Sequence, residues 1–259
     1  MTPSYRPMSR LAALITALAA LITPATATAQ QFFNPGHADK FLRMEVHGLA
    51  GGSTILQNYA SCFDEITSFD QNMGFSGGLG AVATFGIRDW LGLSTEFNIL
   101  ASNSSATALM AGRPDSPYAT VTLRNRYYTI NIPVYVRVNF NLASRVRWNV
   151  IGGIYYSLGL SGHQHQDVYT SYVNSLGQLI NIHDSLRPDY YRSSGAFVNS
   201  SLRADWGIIF GTGIEASSRV SVGLRALIGL RNMAYITDSG TSRPSIHNTA
   251  LYATLGYLF

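Results

Sequence analysis

The chain is short of the residues on which disulfide frameworks, metal fingers and membrane helices depend. Cys62 is its one cysteine among 259 residues, which excludes an internal disulfide and any cysteine-based zinc or redox motif. Charged residues make up 12%, against roughly 25% in ordinary soluble domains, so a fully solvated surface is poorly provided for. The net charge is +4, but the basic residues are scattered singly with no run of five, which argues against a nucleic-acid-binding stripe. Beyond Ile22 no apolar run approaches the roughly 20 residues of a membrane helix. Nor does any segment of helical period compete with the alternating segments that fill the rest of the chain.

What is present is an export signal followed by alternation. Arg6 and Arg10 precede the apolar run Leu11 to Ile22, and small residues follow at Ala27 and Ala29. That order predicts a signal peptide over residues 1–29, cleaved after Ala29, since the run is too short to span. Residues 30–40 then form a short N-terminal periplasmic segment and 41–259 one domain. An exported chain that is poor in charge, rich in glycine (24) and tyrosine (15), and without a membrane helix fits a transmembrane β-barrel.

Side chains alternate faces along a strand, and eight segments show it. Leu42, Met44, Val46 and Ala50 oppose Arg43, Glu45 and His47; Phe75 to Ile87 and Leu91 to Ile99 follow suit. Tyr128, Ile130, Ile132, Val134, Val136, Val138 and Phe140 make the cleanest apolar row. Segments starting near Trp148, Leu202 and Val220 repeat the pattern, and Leu251, Ala253, Leu255, Tyr257 and Phe259 close it. The connections alternate between tight ones (IRDWL, NLASRV, ASSRV) and long ones of about 21, 20, 40 and 15 residues, as when periplasmic turns are short and outer loops long. The predicted fold is an all-β, eight-stranded antiparallel up-and-down transmembrane β-barrel, with ten strands as the alternative. A secreted sandwich would have no reason to sort its loops by length. Within the long gap, DVYTSYVN and QLINIHD flank NSLG and read as a hairpin projecting above the membrane, too short to supply strands nine and ten.

The ending Tyr257-x-Phe259 resembles the C-terminal strand signature of bacterial outer-membrane proteins. NIPVYVRV (131–138), DWGIIFGTGIE (205–215) and LGYLF (255–259) are similar to the PorT-like family of outer-membrane β-barrels, over the chain from about Phe41 onward. The gap between the fifth and sixth segments, about 40 residues, departs from that pattern. The resemblance implies a part in assembling a secretion apparatus.

The inward rows carry Arg43, Glu45, Glu96, Arg137, Arg147, Arg203, Asp205, Glu215, Arg225 and Arg231. An eight-stranded interior is just wide enough for side chains to fill, so these charges are expected to pair or to hold trapped water, and no open pore is expected. A turn centred on Ser218 would set Gly211 opposite Arg225 and Asp205 opposite Arg231. In the loops, His163, His165 and Asp167 alternate and would suit zinc or nickel, but nothing fixes a fourth ligand. Ser161, Ser193 and Ser194 with His163 and His183 lack any nucleophile-elbow frame.

The sequence thus points to an outer-membrane barrel with a side-chain-filled lumen, serving as anchor, scaffold or partner-binding surface. Its termini are expected in the periplasm. No catalytic, cofactor-binding or metal residue and no cofactor is assigned. Its contacts are expected to be outer-membrane lipid and a protein partner through the outer loops, with no nucleic acid, and the barrel is expected to be monomeric. Tyr190 and Tyr191 would suit such partner contact, the alternative being a loop that packs on its neighbours. A lipid-modifying enzyme and a narrow ion pore are the alternatives.

Overall fold

In the computed structural model, residues 32–58, 65–110, 118–191, 201–216, 219–234 and 245–259 are described. The expected leader, Cys62, Ser193, Ser194 and Ser218 lie outside them. Nine strands are found among these residues: β1 Leu42–Gln57, β2 Ile66–Gly86, β3 Leu91–Met110, β4 Tyr118–Ala143, β5 Val146–Val173, β6 Leu179–Leu186, β7 Ala204–Ala216, β8 Val220–Gly229 and β9 Ile246–Leu258. Eight of them form an antiparallel ring, β1 to β5, then β7 to β9, with β9 returning to β1. β6 stands outside the ring, paired only with the far end of β5.

The ladder register fixes the shape of the ring. Met44 pairs with Ala83, and the row continues through Thr95, Val134, Ile154, Ile208, Ile228 and Thr249, returning to β1 at Thr54. The row comes back ten residues along the strand on which it began. An even stagger is required, because an odd one would bring inward side chains against outward ones at closure. With eight strands it implies a tilt of about 40° and a backbone radius of about 8 Å. Such a tube is filled by its own side chains.

Short turns sit at one end, between β2 and β3, β4 and β5, and β7 and β8. This turn end also holds the start of β1 and the close of β9. The opposite, ribbon end differs from expectation. Much of what was read as long loop continues as paired strand: β2 has 21 residues, β4 has 26 and β5 has 28. The wall is therefore tall over β2 to β5 and low over β7 to β9, which run 13, 10 and 13 residues.

The long strands also change polarity along their length. On β4 the outward row reads Phe140, Val138, Val136, Val134, Ile132, Ile130 and Tyr128, then Arg126, Arg124 and Thr122. Its inward row reads Asn139, Arg137, Tyr135, Pro133, Asn131, Thr129, Tyr127 and Asn125, then Leu123 and Val121, the last two buried to 3% and 1% exposure. β3 does likewise, with Leu93, Phe97 and Ile99 outward near the turn end and Asn103, Ser105 and Thr107 outward beyond, where Ala106 and Ala108 face in. Below the crossover the wall is apolar outside, as hydrocarbon demands; above it the outside turns polar and apolar groups move inside, as water demands, beside a buried amide chain of Asn125, Gln164 and Gln166. The outward stretch from Phe140 to Tyr128 rises about 30 Å along the tilted strand, enough for a bilayer core.

Aromatic rings gather at the turn end: Phe140 stacks on Trp148 at 5.0 Å, Phe41 meets Phe85 at 6.0 Å, and Tyr257 meets Phe259 at 5.3 Å. Such amphipathic belts mark the interface. The segment before β1 crosses this end. The amides of Asn141, Asp89 and Gly86 donate to the carbonyls of Phe32, Gly36 and Phe41 at 3.0, 3.1 and 2.9 Å, while Phe33 leans on Trp90 at 4.6 Å.

Candidate functional site

The interior is stacked in layers, and each layer follows from which residues the register turns inward. Nearest the turn end, Arg147 from β5 reaches Asp89 at 2.9 Å and Asp39 at 3.3 Å. Above it lies a buried ion cluster. Glu215 of β7 accepts from Arg43 and from Arg137, both at 2.8 Å, and Arg137 also approaches Glu45 at 3.8 Å. Glu45 accepts from the Ser221 hydroxyl. Beside this cluster, Glu96 accepts from Arg225 at 2.8 Å, Tyr135 at 2.6 Å and Asn98 at 2.9 Å. His47 Nε2 shares a hydrogen bond with Asn98 Oδ1 at 2.8 Å and stands 4.0 Å from Glu96. Three guanidinium groups and three carboxylates thus balance in the tube. Charges of one sign alone would be untenable at such burial.

Glycine makes the room for this packing. A side chain at Gly80 would strike Asn98 and His47, and one at Gly256 would strike Glu45 and Ser221. The expectation that the lumen charges pair is met for six of the ten inward residues by these two clusters. Arg147 pairs at the rim. Arg225 faces Gly211 across the β7–β8 ladder as the turn arithmetic requires. The Asp205–Arg231 pair does not form: the β7–β8 ladder ends at Gly207–Gly229, and Asp205 Oδ2 instead accepts from Tyr155 at 3.1 Å and Asn248 at 3.0 Å. Arg203 is not a lumen residue either. Standing just before β7, it donates to the carbonyls of Gly159 and Leu160 on the rim and lies 5.0 Å over the Tyr191 ring.

Asp205 lines a cavity of about 40 Å³ together with Tyr127, Tyr155, Tyr252 and Ser157, room for water and for no larger solute. Above this the tube is closed by apolar groups. Ile55, Ile66, Val121, Leu123, Met233 and Ile246 pack with Tyr190 and Tyr191, which reach inward from the segment after β6. Tyr190 stacks on Tyr127 at 4.9 Å and its amide donates to Gly162 at 3.0 Å. Tyr191 seats where Gly159 carries no side chain; burial, with Tyr127 nearby, pushes its hydroxyl above the ordinary phenol range. The sequence offered these two tyrosines either for partner contact or for packing of the loop on its neighbours. The second holds, and they serve as the plug, both buried to 5% and 7% exposure.

At the ribbon end, β5 and β6 form the projecting hairpin that the sequence predicts. Its turn is local chemistry: Asn174 Oδ1 accepts from the amides of Leu176 and Gln178 at 3.0 and 2.9 Å, and Gly177 takes the left-handed φ of 75°. The hairpin leaves large apolar groups in the open, with Leu176 at 79%, Val173 at 65% and Leu179 at 65% exposure. One edge of β6 has no strand beside it among the described residues.

The alternating His163, His165 and Asp167 do not act as one set. His165 and His183 both point Nε2 at Asp167 Oδ1, at 3.3 and 3.4 Å, and Tyr169 stacks on His183 at 4.3 Å. His163 instead bridges to Asp189 through the backbone. Among the described residues no group of three or more His, Cys, Asp or Glu is arranged to hold a metal ion. Nor does a hydrogen bond join Ser161 to His163 or His183 among them.

Residues 29–235 match the family model described as outer membrane protein beta-barrel domain. No curated protein matches the chain. Among solved structures the chain is similar to Ail of Yersinia pestis in complex with the heparin analogue sucrose octasulfate, at 10% identity, covering 84% of this chain and 98% of that one with a TM-score of 0.34. It is also similar to the outer membrane protein OprG of Pseudomonas aeruginosa, at 10% identity over 88% and 99% with a TM-score of 0.33. The transport unit of the Escherichia coli autotransporter AIDA-I gives 10% identity over 98% and 99%, with a TM-score of 0.27. Scores this low carry nothing about what this chain binds.

Proposed function

The chain belongs to the outer membrane protein beta-barrel domain family, and from that premise we propose that it is a closed, non-enzymatic barrel of the bacterial outer membrane whose work is to hold a protein partner at the surface. In this reading the turn end and both termini face the periplasm and the ribbon end faces outward. The observation that carries it is the β5–β6 hairpin, which sets exposed leucine, valine and tyrosine side chains, and a strand edge without a neighbour among the described residues, clear of the ring. An open edge supplies main-chain hydrogen bonds to an added strand, and alternate side chains supply selectivity. The lumen supports the closed reading, because paired charges fill its lower part and Tyr190 and Tyr191 pack across its upper part.

The partner we infer is a component of a secretion or envelope-assembly apparatus, a reading that leans on the likeness of the strand motifs to PorT-like barrels. The test is a pull-down from crosslinked outer membranes with the native barrel and with a barrel in which residues 168–185 are replaced by a short turn. A partner held by the first and lost by the second supports the proposal; equal recovery sinks it. Stepwise conductance in planar bilayers would favour a pore, and lipid turnover abolished by His165→Ala would favour an enzyme.

A further inference from the structure

Just above the crossover, on the outside of the tall wall, basic groups of β4 and β5 stand in rows with polar groups of β3. Asn103, Arg126 and His163 form one rung, and Ser105, Arg124 and His165 the next. They line one hollow of about 770 Å³, together with Arg187. Arg126 lies two residues beyond Tyr128, the last ring of the apolar row, and its guanidinium sits 5.8 Å over that ring. On the tilted strand this sets Arg126 about 5 Å and Arg124 about 10 Å past the hydrocarbon edge. That is the depth of lipid headgroups, and the hollow opens sideways from the wall.

Among the described residues Arg124, Arg126 and Arg187 make no ion pair. The nearby acids are engaged elsewhere: Asp167 with His165 and His183, and Asp189 Oδ1 with the Tyr191 amide. Two guanidinium groups two residues apart on one strand face repel unless an anion lies between them. The lumen shows the contrast, since every arginine buried there has its carboxylate.

We propose that this hollow binds the phosphate groups of outer-leaflet glycolipid, the phosphorylated saccharide headgroup of lipopolysaccharide, with Arg124 and Arg126 as bidentate donors and Arg187 as the closing cation. The guanidinium fork matches a phosphate's oxygens. The acyl chains of the same molecule would lie on the outward row below, Tyr128 to Val138, with Leu158 and Leu160 of β5 alongside. A lipid fits better than a soluble polyanion because headgroup and chains meet contiguous surfaces of matching chemistry. The site rests on the outward orientation proposed above for the ribbon end.

The test uses the mature barrel in phosphatidylcholine nanodiscs, where both faces are open to added lipid, so that a mistaken orientation would leave binding intact and surface labelling in cells would report it separately. Bisphosphorylated lipid A and its dephosphorylated form are titrated against the native barrel, the double variant Arg124→Gln/Arg126→Gln, and Arg219→Gln, an exposed charge at the turn end. Retention of the heat-modifiable shift on electrophoresis confirms that each variant is folded. The expected result is binding weakened about tenfold or more in the double variant, unchanged in Arg219→Gln, and lost with the dephosphorylated lipid. Equal loss in Arg219→Gln, or equal binding of the two lipids, overturns the proposal. Displacement of lipid A by inorganic phosphate or heparin at matched anionic charge would make the hollow a soluble-anion site, and the lipid assignment would fall.

Discussion

The lower and upper halves of the tall wall are made of the same strands, yet they solve opposite problems. Below the crossover the strand turns Val134 and Val136 outward and Arg137 inward; above it, the same strand turns Arg124 outward and Leu123 inward. Strand geometry is constant across the boundary, so the surrounding solvent alone decides which row is oily. Hydrocarbon cannot satisfy a polar group, whereas water tolerates a polar outside and pushes apolar groups in. The chain therefore records the edge of the bilayer as a change of sign in its alternation.

That comparison can be broken most severely in the lower interior. Glu215→Leu should leave Arg43 and Arg137 buried without their shared carboxylate, at a cost of about 3–5 kcal/mol, read as a lowered urea midpoint in lipid vesicles. If stability is unchanged, the clusters are not the structural plug described. Next, Val134→Arg on the outward row should cost about 2–4 kcal/mol, while Thr122→Arg on the same row of the same strand should cost within about 0.5 kcal/mol. Similar costs at the two positions, measured by refolding into vesicles, would erase the crossover. In the upper interior, Leu123→Ala should lose about 2 kcal/mol, near the low end for a buried leucine because the plug borders the rim; hydrogen exchange at Tyr190 and Gly162 should quicken in the same variant. The smallest effect is expected from replacing residues 172–180, the hairpin tip, by a short turn. These residues lie beyond Ser171, the last residue of β5 paired with β4, so the unfolding midpoint should shift by no more than about 0.5 kcal/mol.

Much of the ring was legible in the sequence because alternation against lipid leaves an unbroken apolar row, as from Tyr128 to Phe140. The projecting hairpin was legible too, through Asn174 and Gly177. The upward extensions were not, since stretches such as ASNSSATA (101–108) lack large apolar residues and read as loop, though small residues at Ala106 and Ala108 do keep the period of two. The Asp205–Arg231 pair failed because register arithmetic carried past the end of a ladder predicts position and not contact. The tyrosine plug was hidden for another reason: only the folded chain sets Tyr191 against Gly159, 32 positions upstream. The basic rungs needed the β3–β4–β5 register to bring three strands into line.

The ring closes where β1 meets β9, strands about 200 residues apart, so this contact is the least local in the fold. No hairpin can form that seam, and every partly built sheet must carry two raw borders until its first and last ribbons find each other. Sealing is then the step at which a folding helper, gripping either border, would govern the fate of the whole molecule.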